Sequence, residues 1–142
     1  MDSNLVYLII PVFLIIFPLF FMGITTLLSF LGGWRSLANK YKTDRNPPSN
    51  ARSMQSGKMS FVRYNNVLKI GTYQDGLFLD VFLLFKAGHP ALFIPWQAIS
   101  EIKNTNFLFM SYYKIKVENV TILLLKKALD PLPEQLQRKI TG

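Results

Sequence analysis

The feature that most constrains this chain is a stretch of 27 residues, Leu5 to Leu31, without a charged side chain and with 21 apolar positions. At about 1.5 Å per residue, a helix of that length runs roughly 40 Å, more than the roughly 30 Å of a bilayer's hydrocarbon core. Residues 1–33 are therefore expected to form an uncleaved transmembrane anchor, with length to spare for tilt. A cleaved signal peptide would need a basic start, an apolar core of about 7 to 15 residues and a small-residue cleavage site. Here the start carries Asp2, the core is longer and no such site follows.

Charge begins where the apolar run ends. Between Arg35 and Lys69, eight basic residues face Asp44 alone, which accounts for +7 of the chain's net +8. The positive-inside rule then puts the C-terminal part in the cytoplasm and the N-terminus outside. Residues 34–57 read as a basic juxtamembrane segment followed by a linker. Trp34, Leu37, Ala38 and Tyr41 recur at i, i+3, i+4 and i+7, an amphipathic turn and a half with Arg35, Lys40 and Lys42 pointing elsewhere. Trp34, Arg35, Lys40, Tyr41 and Lys42 are accordingly expected at the membrane interface, with lipid as their partner. Pro47 and Pro48 stop the helix, and Thr43 to Ser56 offers little to bury.

Within the span, Pro11 and Pro18 lie seven residues apart and so on nearly one face, joined by Met22, Thr25 and Ser29. A proline frees the carbonyl four residues earlier, and small polar side chains let another helix come close. This face is expected to dock a membrane protein partner, although proline and threonine also occur in lone anchors.

From Lys58 the hydrophobic period changes to two, and residues 58–142 read as a β domain. Expected strands are Met59 to Arg63, Val67 to Tyr73 after a turn at Asn65-Asn66, Leu77 to Phe85 and Ala91 to Ile94. Ile99 to Asn104, Asn106 to Met110, Tyr112 to Val117 and Thr121 to Lys126 follow. About seven strands curved into a half-open barrel can bury one face. Asp130 to Lys139 closes the chain as a helix, with Asp130 as N-cap, Pro131 in the first turn and Leu132, Leu136 and Ile140 on one side. A single span plus a mainly-β half-barrel with a C-terminal helix is the pleckstrin-homology-like (PH-like) layout.

Particular residues strengthen that likeness. Gly76-Leu77-Phe78-Leu79, Phe85, the run His89 to Trp96 (HPALFIPW), Ile99 and Ile102 resemble the "GLYL … F … HPPLLIPW … I" signature of a family of small bacterial membrane proteins frequent in cyanobacteria. Upstream, Gly33-Trp34-Arg35, Leu37-Ala38 and Tyr41 are similar to that family's GW-x-x-LA-x-x-Y segment. The likeness covers about residues 30 to 105, departs at Ala91, and is weaker toward bacterial PH and GRAM modules, which share an IPW-x-x-I step. It implies a bacterial inner membrane, plasma or thylakoid, and a layout without an attached chemistry.

Catalytic vocabulary is sparse. With no cysteine and one histidine, thiolate sites and multi-histidine metal centres are excluded. Phosphate-loop, dinucleotide, zinc-protease and serine-hydrolase motifs are missing, and the acids are scattered. No enzyme activity, cofactor or metal is expected. Nucleic-acid binding is not expected either, since the positive charge concentrates beside an anchor where topology accounts for it. His89, in the turn before Pro90, and Trp96, after a proline that ends its strand, remain as candidate partner-binding residues at the open end. Two readings follow: a non-catalytic interaction module serving as an accessory or assembly subunit, or an anionic-lipid reader using Lys58, Arg63 and Lys69.

Overall fold

The computed structural model describes residues 3–141; the acidic start at Asp2 lies outside the described residues. A 30-residue helix, α1 (Ser3–Gly32), carries both internal prolines and is long and apolar enough to cross a membrane. Gly33 takes a left-handed conformation (φ 90°) that ends α1 and opens a second helix, α2 (Trp34–Tyr41). Seven strands follow: β1 (Arg52–Met59), β2 (Val62–Thr72), β3 (Gly76–Val81), β4 (Leu92–Pro95), β5 (Ile99–Phe107), β6 (Met110–Val117) and β7 (Val120–Leu125). They form one antiparallel sheet in the order β4-β3-β2-β1-β7-β6-β5, and a short helix α3 (Glu134–Gln137) closes the chain. The expected architecture of one apolar N-terminal helix, a seven-stranded half-barrel and a C-terminal helix is therefore the one observed.

Alternation turns Ile70, Leu77, Leu79, Leu92, Ile94, Ile99, Ile102, Ile115, Val117, Ile122 and Leu124 into one core. Trp96 is 5% exposed and donates its indole N–H to Gln74 O at 2.9 Å. Pro95 ends the edge strand β4, where a missing N–H costs no ladder bond.

Five local expectations are corrected. β1 starts at Arg52, inside the expected linker, because its buried positions are Gly57 and Met59, and a buried glycine leaves no apolar signal. The first turn is at Ser60-Phe61, and β2 runs through Asn65-Asn66, where Asn66 (φ 58°) absorbs an irregularity in the β1–β2 register. The apolar run Leu77 to Phe85 breaks at Val81. Leu68 opposite Val81 is the last β2 residue paired with β3, so beyond it the chain turns through a 3-10 helix, Leu83–Phe85. The C-terminal helix is one turn only, beginning after Pro133 rather than capped by Asp130, since Pro133 keeps the preceding Leu132 out of the helical region. The segments expected as strands 99–104 and 106–110 are chiefly the single strand β5 and its turn.

The rest of the expected linker is strapped to the sheet. Thr43 N–H donates to Ala91 O (2.9 Å), the Asn50 amide meets Thr72, and Arg45 lies over the rings of Tyr73 (3.9 Å) and Phe93 (4.6 Å). At the other sheet edge, Ile102 exchanges backbone bonds with Lys139 and Thr141. Both edges are thus partly covered by the chain itself.

Candidate functional site

The helix α2 sits where the anchor meets the barrel, packed against β4 and against residues beside the β1–β2 and β6–β7 turns. Its amphipathic period is real, but its apolar face is turned into protein: Trp34, Leu37 and Ala38 belong to the core. Trp34 is 0% exposed, so its expected place at the membrane boundary is corrected. Its ring packs against His89 (5.1 Å) and Tyr64 (5.7 Å), and its N–H donates to Pro90 O at 2.9 Å.

His89 is 1% exposed. Nδ1 lies 3.0 Å from Ala87 O, which fixes it as the protonated nitrogen, and Nε2 accepts the Tyr64 hydroxyl at 2.9 Å. Burial holds the imidazole below its ordinary pKa, although carbonyls of Ala87 and Phe85 oppose the shift, and burial pushes the Tyr64 phenol up. The trio is a neutral, satisfied interior cluster. His89 and Trp96, expected as partner-binding residues, are thus both interior and offer no surface.

The interface cations divide. Lys40 pairs with Glu118 at 2.6 Å and Tyr41 Oη reaches the same carboxylate at 3.3 Å, tying α2 to the β6–β7 turn. That contact lowers the Glu118 pKa and raises that of Lys40. Arg35, over the Phe30 ring at 5.3 Å, and Lys42 remain exposed.

The docking face of α1 is also divided. Thr25 and Ser29 are buried, and Ser29 Oγ donates to Gly88 O. Gly88 (φ 74°) comes so close that a Cβ there would stand 2.9 Å from Thr26 Cα. The occupant of this end of the face is the chain's own β3–β4 loop. Pro18 and Met22 line a groove beside that loop, and Pro11 is exposed farther out.

Two features escaped sequence reasoning. The first is the β5–β6 hairpin tip, where Leu108 (φ 49°) and Phe109 (φ 66°) both occupy the left-handed region that such two-residue turns usually give to Asn-Gly. Phe107, Leu108 and Phe109 stand in solvent, Phe109 fully, with Met110 also exposed. Beside the tip runs a shallow groove of about 200 Å³ lined by Lys58, Arg63, Phe107 and Tyr112. Lys58 and Arg63 are cross-strand partners, and the Arg63 guanidinium lies 5.9 Å from the Phe107 ring. Neither cation has an ion-pair partner among the described residues. Lys69 does not join them, lying opposite Asp80 in a separate groove. The second feature is the β3–β4 loop itself, with Phe82, Leu83 and Leu84 exposed. For the loop the FLLF run was the available signal; for the hairpin tip, which lacks the usual turn residues, the sequence offered none.

Among the described residues, no three of His, Asp and Glu come together as a metal site would require. No family model, curated protein or solved structure matches the chain.

Proposed function

We propose that the chain is a membrane-anchored, non-catalytic interaction module, an accessory or assembly subunit whose binding element is the β5–β6 hairpin. The observation that carries this reading is the apolar tip Phe107-Leu108-Phe109-Met110, exposed on a domain whose own core lies elsewhere. Exposed apolar clusters of this kind mark interaction surfaces. Left-handed backbone at two bulky residues costs about 1–2 kcal/mol each, and it holds their side chains at the exposed tip. The complementary partner is a protein surface with an apolar cleft edged by carboxylates, matched to Lys58 and Arg63. The anchor would hold the module at a bacterial inner membrane, with the β domain on the side that its juxtamembrane cations select.

Trp34 and Leu37 of α2 pack into the core of the β domain rather than leaving that space to a ligand. Anionic-lipid reading remains the second possibility, favoured by the Lys58–Arg63 pair and weakened by the separation of Lys69.

The test is affinity isolation of the full chain from solubilised membranes beside Phe109→Asp and Arg63→Glu. A stoichiometric protein that accompanies the wild type and is lost from both variants supports the proposal. Recovery of lipid alone, or a co-purifying protein indifferent to both substitutions, contradicts it.

A further inference from the structure

The length of α1 exceeds what a bilayer needs. Thirty residues give about 45 Å against roughly 30 Å of hydrocarbon, so about ten residues are surplus. The buried positions of α1, Thr25, Ser29 and Gly32, all lie in its last eight residues, on the side packed against the β domain. Leu5 to Ile24 is then the stretch that crosses, about 30 Å long.

The β3–β4 loop reaches past that limit. Phe85 packs on Phe21 with ring centroids 5.3 Å apart, and Phe21 lies three residues, about 5 Å, inside Ile24. Phe82, Leu83 and Leu84 are 57%, 78% and 66% exposed, Leu83 and Leu84 against α1 at this level, and such an apolar patch is costly to leave in water. Between the loop and α1 lies an apolar groove of about 620 Å³, walled by Phe17, Pro18, Phe21 and Met22 on one side and Leu83 and Leu84 on the other. Its one cation, Lys86, forms an ion pair with Asp80 at the boundary of the patch.

We propose that the Phe82–Phe85 loop dips into the leaflet nearest the β domain and that its groove with α1 holds an acyl chain of a membrane phospholipid. This rests on α1 spanning the bilayer. One wall of the groove belongs to a helix that needs hydrocarbon around it, so the medium filling the groove is the one that surrounds the helix. Lys86, the cation in the groove's lining, is held by Asp80, and its ammonium would have to snorkel from that pair toward the headgroups to meet the lipid's phosphate.

The experiment uses the full chain with Leu84→Trp, reconstituted into phosphatidylglycerol vesicles with brominated acyl chains. The native Trp34 and Trp96 are interior to the β domain and serve as background. The added tryptophan emission should be lost in brominated relative to plain lipid, and phosphatidylglycerol bearing an acyl-chain diazirine should label Met22, Leu83 or Leu84. Unquenched emission from a chain that resists alkaline carbonate would overturn the loop's insertion and leave the anchor standing. Lipid labelling of α1 that spares Met22, Leu83 and Leu84 would mean that protein fills the groove, which also overturns the proposal. Release of the chain by carbonate would overturn the proposal and the anchor together.

Discussion

The Tyr64 hydroxyl donates to Nε2 of His89 across 2.9 Å, at a place where the imidazole is 1% exposed and packed edge-on against Trp34. Tyr64 belongs to β2, His89 to the β3–β4 loop, and Trp34 opens the helix that continues the anchor. This contact therefore joins the three parts that fix the β domain to its span. Removing the donor tests it: Tyr64→Phe leaves Nε2 buried without a partner, at a cost of about 1–3 kcal/mol. Denaturant unfolding of the chain in detergent micelles, followed by tryptophan fluorescence, measures the loss.

The same cluster makes stability depend on pH. The folded pKa of His89 lies below the ordinary value of about 6.5, so near and below that pH the unfolded chain takes up a proton that the folded domain refuses. Stability is full above about pH 6.5 and falls as the pH drops from there toward the folded value. Glu101 and Glu118, both with pKa values held below the usual range, titrate at lower pH and leave this window to His89. Thermal unfolding between pH 7.5 and 5.5 should show the decline in the wild type and a flatter profile in His89→Gln.

Trp34→Ala distinguishes interior from interface. A buried tryptophan lost from a packed core costs about 3–5 kcal/mol. A tryptophan at the headgroups would leave the unfolding of the β domain unchanged. Unfolding monitored by far-ultraviolet circular dichroism reports which applies.

Gly88→Ala should loosen the contact between loop and anchor. The left-handed φ of 74° alone costs about 1–2 kcal/mol, and the new Cβ meets Thr26 Cα at 2.9 Å. A lower melting temperature in micelles, with the β domain still folded, is the expected result.

Much of the architecture was legible in the residues. The uncharged run predicted α1, a continuous apolar run predicted the strand that reaches Val81, and alternation predicted the strand from Tyr112 to Val117. The misplacement of α2 has a general cause: spacing of Trp34, Leu37 and Ala38 records an apolar face, while lipid and a barrel interior leave the same mark on it. The face of Thr25 and Ser29 behaved alike, since small polar residues signal close approach without saying which segment approaches. Leu77 to Phe85 looked like one strand because composition does not reveal where a partner strand runs out. His89 and Trp96 drew notice as rare residue types, and their rarity reflected interior hydrogen bonds. The hairpin tip was readable only through backbone conformation, because Phe107 to Met110 has the composition of a strand.

The central claim is that α1, long and apolar enough to cross a membrane, is continued past Gly33 by α2 into the core of the β domain. Hydrogen exchange of the reconstituted chain, resolved to single amides, tests it most directly. If the claim holds, the amides of Leu37 and Ala38 exchange as slowly as those of Ile70 and Ile122 in the sheet. Fast exchange across residues 34–41 beside a protected sheet would show α2 to be a tether on the membrane surface, and would contradict it.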